Sequence, residues 1–163
     1  MAGLELTRRN LNVRLSIAGS GVLDEKLKKI FDKNRVFDCV TFFGKLPRDV
    51  LLSKYQKSDL FVFPSLHDSS GNVVVEALAN SLPVISLDLG GPKYYVDNTC
   101  GAVISTKDKN YDQVVIDMAD KISELVVDKD KLYNLSMGAL ARAKKLTWEN
   151  QVNRVYDYLE SVL

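Results

Sequence analysis

Short, almost unbroken apolar runs alternate along this chain with stretches whose apolar positions recur every three to four residues. The runs fall at Arg14 to Ala18, Val40 to Phe43, Leu60 to Phe63, Val84 to Leu87 and Ala102 to Ser105. Their shortness and continuity predict strands covered on both faces of a parallel sheet. Helical periods are predicted at Leu23 to Val36, Arg48 to Lys57 and Asn72 to Asn80, with a short turn near Lys93 to Val96. Beyond the last strand, Tyr111 to Val127 carries apolar residues at 111, 114, 115, 118, 119, 122, 125 and 126, a helical stripe. Lys131 to Lys145 repeats the period less cleanly, and Trp148 to Val162 places apolar residues at 148, 152, 155, 159 and 162. Breakers stand between the elements: Gly19-Ser20-Gly21, Gly44 with Pro47, Gly90-Gly91-Pro92, and Gly101. The pattern predicts an α/β layer of about five parallel strands flanked by helices, with a helical tail.

At 163 residues the chain is most simply one domain with a real core. Twenty-two basic and 21 acidic side chains leave a net charge of +1, which gives no reason to expect nucleic acid as a partner. No apolar run approaches a membrane span, and the start lacks the apolar stretch of a secretory signal. Cys39 and Cys100 form no CxxC pair and sit in strand-like surroundings, so buried thiols in a reducing, cytoplasmic compartment are expected.

Chemistry concentrates in Pro64 to Val84, PSLHDSSGNVVVEALANSLPV. A strand enters it, a polar loop with glycine follows, and a helix opens, which is where α/β proteins hold ligands. Free amides at that helix start suit a phosphate. Asp68 and Glu76 flank the glycine; the plain alternatives are a solvated cap for Asp68 and a surface charge for Glu76. Glu76, however, lies within VVVEALA, where a charge needs a partner, and a pair of ligand hydroxyls would supply one.

Other signals are weaker alone. Gly19-Ser20-Gly21 follows a strand and opens a helix, but Asp24 replaces the third glycine of a dinucleotide fingerprint, so a tight turn is the simpler reading. Gly90-Gly91-Pro92 lets backbone approach a ligand, or is a plain turn. His67, the single histidine, is best read as a solvated loop residue. No Ser-His-Asp order, metal-ligand cluster or P-loop lysine can be assembled, which argues against triad hydrolases, zinc enzymes and P-loop ATPases.

Pro64-Ser65, Asp68, seven residues, Glu76-Ala77 and Pro83-Val84, followed by LGGPKYYV, resemble the retaining nucleotide-sugar glycosyltransferases of the GT-B fold, family 4 (glycosyl transferases group 1). Leu15 to Gly21, Val40 to Pro47, Ser58 to Val62 and the Trp148 helix extend the likeness over nearly the whole chain. The resemblance implies a Rossmann-like donor-binding domain, the C-terminal half of a GT-B fold, across residues 1–163. It implies that Glu76 binds the ribose of the donor and that Asp68 faces the transferred sugar. Gly71, Asn72 and Val73 would cradle the diphosphate; Gly44, Lys45 and Leu46 would border the base; Gly90 and Gly91 would line the sugar. Gly19 and Ser65 would complete the nucleotide-sugar site.

Departures carry consequences. The first acid is Asp68 where the family has glutamate, Ser69 and Ser81 stand where glycine is common, and Tyr94 stands where an acid is frequent. The family's N-terminal acceptor domain, and the strand, arginine and lysine that follow it, have no counterpart here. The expectation is therefore a half-enzyme, inactive alone, binding a UDP-, GDP- or ADP-sugar without a metal or other cofactor. A sugar or glycolipid acceptor would reach it through the absent domain, at the cytoplasmic face of the inner membrane in the intact enzyme. The rival of a different class is a non-catalytic interaction module or split subunit, with a partner chain or second copy covering the incomplete sheet.

Overall fold

Two parallel sheets lie side by side in the computed structural model, which describes residues 1–9, 11–34 and 37–162. The first pairs β1 (Leu15–Ala18) with β2 (Val40–Gly44); the second orders β3 (Phe61–Phe63), β4 (Val84–Leu87) and β5 (Gly101–Ile104), with β4 in the middle. All five expected strands are present within a residue or so of their expected ends. They do not form one continuous sheet, because no strand among the described residues joins β1 to β3.

The helices follow the apolar periods. They are α1 (Ala2–Arg8), α2 (Asp24–Lys33), α3 (Arg48–Gln56), α4 (Asn72–Ala79), α5 (Tyr111–Val127), α6 (Lys129–Lys145) and α7 (Trp148–Val162). The expected helix from Leu23 to Val36 is shorter, and its last two positions fall outside the described residues. Local chemistry fixes several ends. Asn110 and Gln113 form a reciprocal capping box on α5, and the Asp128 carboxylate accepts from the Lys131 amide at the start of α6. After α4, Ser81 takes the left-handed conformation (φ 58°) that glycine usually fills at a helix end, and the Leu82 amide returns to the Ala77 carbonyl.

β4 is the buried spine. Its side chains alternate, so Ile85 and Leu87 face a cluster with Ile104, Met118, Ile122 and Leu125, while Val84 faces one with Tyr55, Val74, Leu78 and Cys100. Helices thus cover both faces of the second sheet. The first sheet is thinner: β1 alternates half-buried and exposed positions, which corrects the expectation that every strand is covered on both faces. Among the described residues its cluster has Leu4, Phe31 and Val40 as buried members.

The helix α1, which apolar periodicity did not signal, ties the two sheets together. Leu4 packs with Phe31 and Val40 under the first sheet and Leu6 with Ile85 and Leu87 of the second, and Arg9 donates to Asp120 of α5 at 2.6 Å. Cys100 is buried as expected, but Cys39 is exposed, because it ends a single 3-10 turn (Phe37–Cys39) ahead of β2 rather than lying within a strand. α7 has no buried residue, and Trp148 is 87% exposed. No described helix is long and apolar enough to cross a membrane.

Candidate functional site

The segment after β3 is folded by one carboxylate. Asp68 Oδ1 accepts from the Ser70 amide at 3.0 Å and from the Gly71 amide at 2.8 Å, closing a tight turn before α4. Gly71 then sits at φ 62°, in the left-handed region, and is buried. A side chain there would press on Pro92 and the Tyr95 ring at 3.2 Å. The glycine is therefore required twice, by backbone conformation and by close packing.

The Gly90-Gly91-Pro92 loop after β4 closes on the same turn. The Gly91 amide donates to the Asp68 carbonyl at 2.9 Å, and a Cβ on Gly90 would stand 2.1 Å from that oxygen. The structure thus brings Asp68, Gly71, Gly90 and Gly91 into one contact group. Behind it, the Arg142 guanidinium donates to the carbonyls of Tyr95 (2.9 Å) and Tyr94 (2.8 Å), bracing the loop from α6. Asp88, at the end of β4, accepts from the Thr106 hydroxyl and amide and from Ser105; these hydrogen bonds hold its carboxyl below the usual carboxylate range.

The amide of Gly71 is occupied by Asp68, whereas those of Asn72 and Val73 have no protein acceptor among the described residues. These two open amides are what the start of α4 offers an anion. Three residues beyond Val73, Glu76 is half-buried on α4. Its Oε1 lies 3.6 Å from Nη2 of Arg48, at the start of α3. The partner that its apolar neighbours demanded is therefore an arginine of this chain. Tyr55, buried under the same carboxylate, has its hydroxyl pushed up by burial and then by the Glu76 charge.

The remaining expected residues lie where strands end. The Gly19 amide donates to the Gly44 carbonyl at 2.7 Å, joining the loops after β1 and β2. Lys45 is exposed, Leu46 and Ser65 are half-buried, and His67 is exposed. Direct contacts join Gly19 to Gly44 and, separately, Asp68 and Gly71 to Gly90 and Gly91; Glu76 belongs to neither group. It is linked through Arg48 to the loop that carries Lys45 and Leu46. Arg48, Arg142 and Asp88 were not singled out from sequence. A cation opening a helix two residues after Leu46 was a signal for the first, but the long-range partners of the other two leave no local pattern.

A cavity of about 700 Å³ lies elsewhere, at the amino end of β5, lined by Asn98, Thr99, Asp128, Lys131 and Asn134 among others. None of the motif residues lines it. Among the described residues, no three His, Cys, Asp or Glu side chains gather to hold a metal ion.

A strand-end loop with two open amides, a glycine pair packed on it and an acid within α4 matches the motif's own spacing. Residues 4–142 fit the family model for glycosyl transferases group 1. The chain belongs to that family. This group 1 domain is 33% identical, over 86% of its length, to the D-inositol 3-phosphate glycosyltransferase of Mycolicibacterium smegmatis, covering 32% of that relative. It is 30% identical, over 94% of its length, to the GDP-mannose-dependent alpha-(1-6)-phosphatidylinositol monomannoside mannosyltransferase of Mycobacterium tuberculosis, covering 41% of it. The chain spans about a third of the length of the first curated relatives it matches.

In structure, the domain superposes on the pneumococcal O-GlcNAc transferase GtfA, solved in complex with UDP and GlcNAc, with a TM-score of 0.82 at 21% identity. The match covers 99% of this chain and 32% of that one. Anabaena Alr3699/HepE, solved in complex with UDP, gives 0.78 at 18% identity, covering 99% of this chain and 44% of the other. At such identities the likeness establishes the fold, that of the GT-B glycosyltransferases.

Replacing Asp68 by alanine is expected to lower stability by about 0.5–2 kcal/mol, the range for losing a side-chain acceptor at a helix start. Asp68→Asn, which keeps an acceptor at Oδ1, should retain most of it. Urea midpoints measure both, and equal losses for the two variants would contradict the turn-closing role.

Proposed function

We propose that this chain is the donor-binding part of a retaining glycosyltransferase that moves a hexosyl unit from a nucleotide diphosphate sugar to an acceptor. The observation that carries the reading is the pairing, on α4, of the open Asn72 and Val73 amides with the Glu76 carboxylate inside a group 1 motif. The diphosphate would lie on those amides. The ribose hydroxyls would donate to Glu76, the base would rest near Gly44, Lys45 and Leu46, and the sugar would face Gly90 and Gly91. Gly19 and Ser65 would border the nucleotide. Asp68 would act on the transferred sugar chiefly by shaping the loop beneath it, since Oδ1 already accepts two backbone amides.

Sugar transfer requires stabilisation of charge on the departing diphosphate, and amide dipoles alone supply only part of it. Cationic groups and the acceptor site of the intact enzyme are assigned to residues outside this stretch, in keeping with its spanning about a third of its relatives. The isolated chain would then bind donor without turnover. The M. tuberculosis relative, named a phosphatidylinositol monomannoside mannosyltransferase, supports a glycolipid acceptor, hence a cytoplasmic protein working at the inner membrane face. A second reading, a subunit docking on a partner chain, is favoured by one observation, the uncovered apolar face of α7.

Thermal denaturation with UDP, GDP and ADP conjugates tests the proposal. A nucleotide at about 100 times its dissociation constant should stabilise the fold by about 2.7 kcal/mol, a shift of several degrees. No shift with any of the three would overturn it.

A further inference from the structure

The Arg48–Glu76 ion pair crosses the break between the two sheets. Arg48 opens α3 directly after the loop that leaves β2, whereas Glu76 belongs to the helix that follows β3. The pair is uneven: the Arg48 side chain is 79% exposed, and that of Glu76 is 31% exposed. An exposed ion pair is a weak source of stability, so its position matters more than its strength. Glu76 stands at the edge of the buried face of α4 that Val74, Ala77 and Leu78 form, close to buried Tyr55. Arg48 is the cation the structure sets against it.

We propose that Arg48 is a positioning residue for the ribose subsite, holding the Glu76 carboxylate in the orientation that accepts the two ribose hydroxyls. This deepens the donor-binding reading and rests on it. A glutamate has three rotatable side-chain bonds, and fixing them on binding opposes affinity. An arginine on Oε1 fixes them beforehand, and the carboxylate, with about four acceptor sites, keeps room for two hydroxyl donors. Because Arg48 directly follows the loop proposed to border the base, it also couples base and ribose contacts. A nucleoside diphosphate lacking the ribose hydroxyls gains nothing from this arrangement, so Arg48 contributes to selection of ribonucleotides.

The experiment is a double-mutant cycle on the full chain, read by calorimetry with the best-binding nucleoside diphosphate from the thermal screen and its 2′,3′-dideoxy counterpart. Arg48→Ala should weaken ribonucleotide binding roughly two- to fivefold, the scale of an exposed ion pair. The dideoxy compound should bind unchanged, and in a Glu76→Gln background the Arg48 effect should fall below about twofold. Arg48→Lys, which retains the charge, should recover at least half the loss. Equal loss for both nucleotides, an undiminished effect in the Glu76→Gln background, or tighter binding by Arg48→Ala would each overturn the proposal. Wild-type failure to bind any nucleotide would instead remove the donor-binding reading itself, and this inference with it. Ribonucleotide selection that depends on Glu76 but not on Arg48 would remove only the inference.

Discussion

Alanine at position 90 is expected to destabilise the domain by about 2–4 kcal/mol and to abolish nucleotide binding. Two costs combine there. Gly90 has φ 61°, a region that a Cβ makes unfavourable by about 1–2 kcal/mol. The added atom would also stand 2.1 Å from the Asp68 carbonyl oxygen and 3.1 Å from its carbon. That carbonyl cannot retreat freely, because it accepts from the Gly91 amide while the carboxylate of the same residue holds the Ser70 and Gly71 amides. The strain would therefore pass into the turn that presents α4 to a ligand. Gly21→Ala is the matched control: its Cβ would meet only Asp24 Oδ1, at 4.0 Å, and should change stability by less than about 0.5 kcal/mol. Urea denaturation of both variants decides, and equal midpoints for Gly90→Ala and wild type would refute the packing of the two loops.

Truncating Glu76 to alanine should leave the fold standing and weaken nucleotide binding by about 1.5–3 kcal/mol, roughly 10- to 150-fold. The range is that of hydrogen bonds made to a charged group. Stability should change little, because Arg48, the cation paired with Glu76, is largely exposed and regains water when the carboxylate goes. Alanine also suits a helix interior better than glutamate does. A variant that is as stable as wild type but tenfold or more weaker in calorimetry would separate a binding role from a structural one. Unchanged affinity would remove Glu76 from the ribose site.

The strands and most helix boundaries were legible because each follows from local chemistry: apolar runs, periodicity and breakers. β4 is the clearest case, four apolar or small residues buried on both faces. α1 was not legible, since seven residues hold too few apolar positions to show a period; its place depends on Leu4 and Leu6 meeting two different clusters. The division of the sheet did not follow from the apolar runs, as pairing between strands is a long-range property; the family resemblance alone implied an incomplete sheet. At the site, the motif spacing marked Asp68, Gly71, Glu76, Gly90 and Gly91. It did not decide between a sugar-facing role for Asp68 and a cap; in the structure the carboxylate accepts the Ser70 and Gly71 amides of its own turn. Nor did it supply the counter-ion of Glu76, which comes from a helix that begins 28 residues earlier in the chain.

The two-stranded sheet gives the molecule an uneven mechanical character. A parallel pair with three buried side chains beneath it among the described residues is a marginal unit by itself, whereas β4 is clamped from both sides. The backbone amides of the β1–β2 edge, which carries Gly19 and Gly44, are therefore expected to exchange with solvent faster than those of β4. A ligand gripping both edges would act as a splint, so part of its intrinsic affinity is consumed in quieting the softer one.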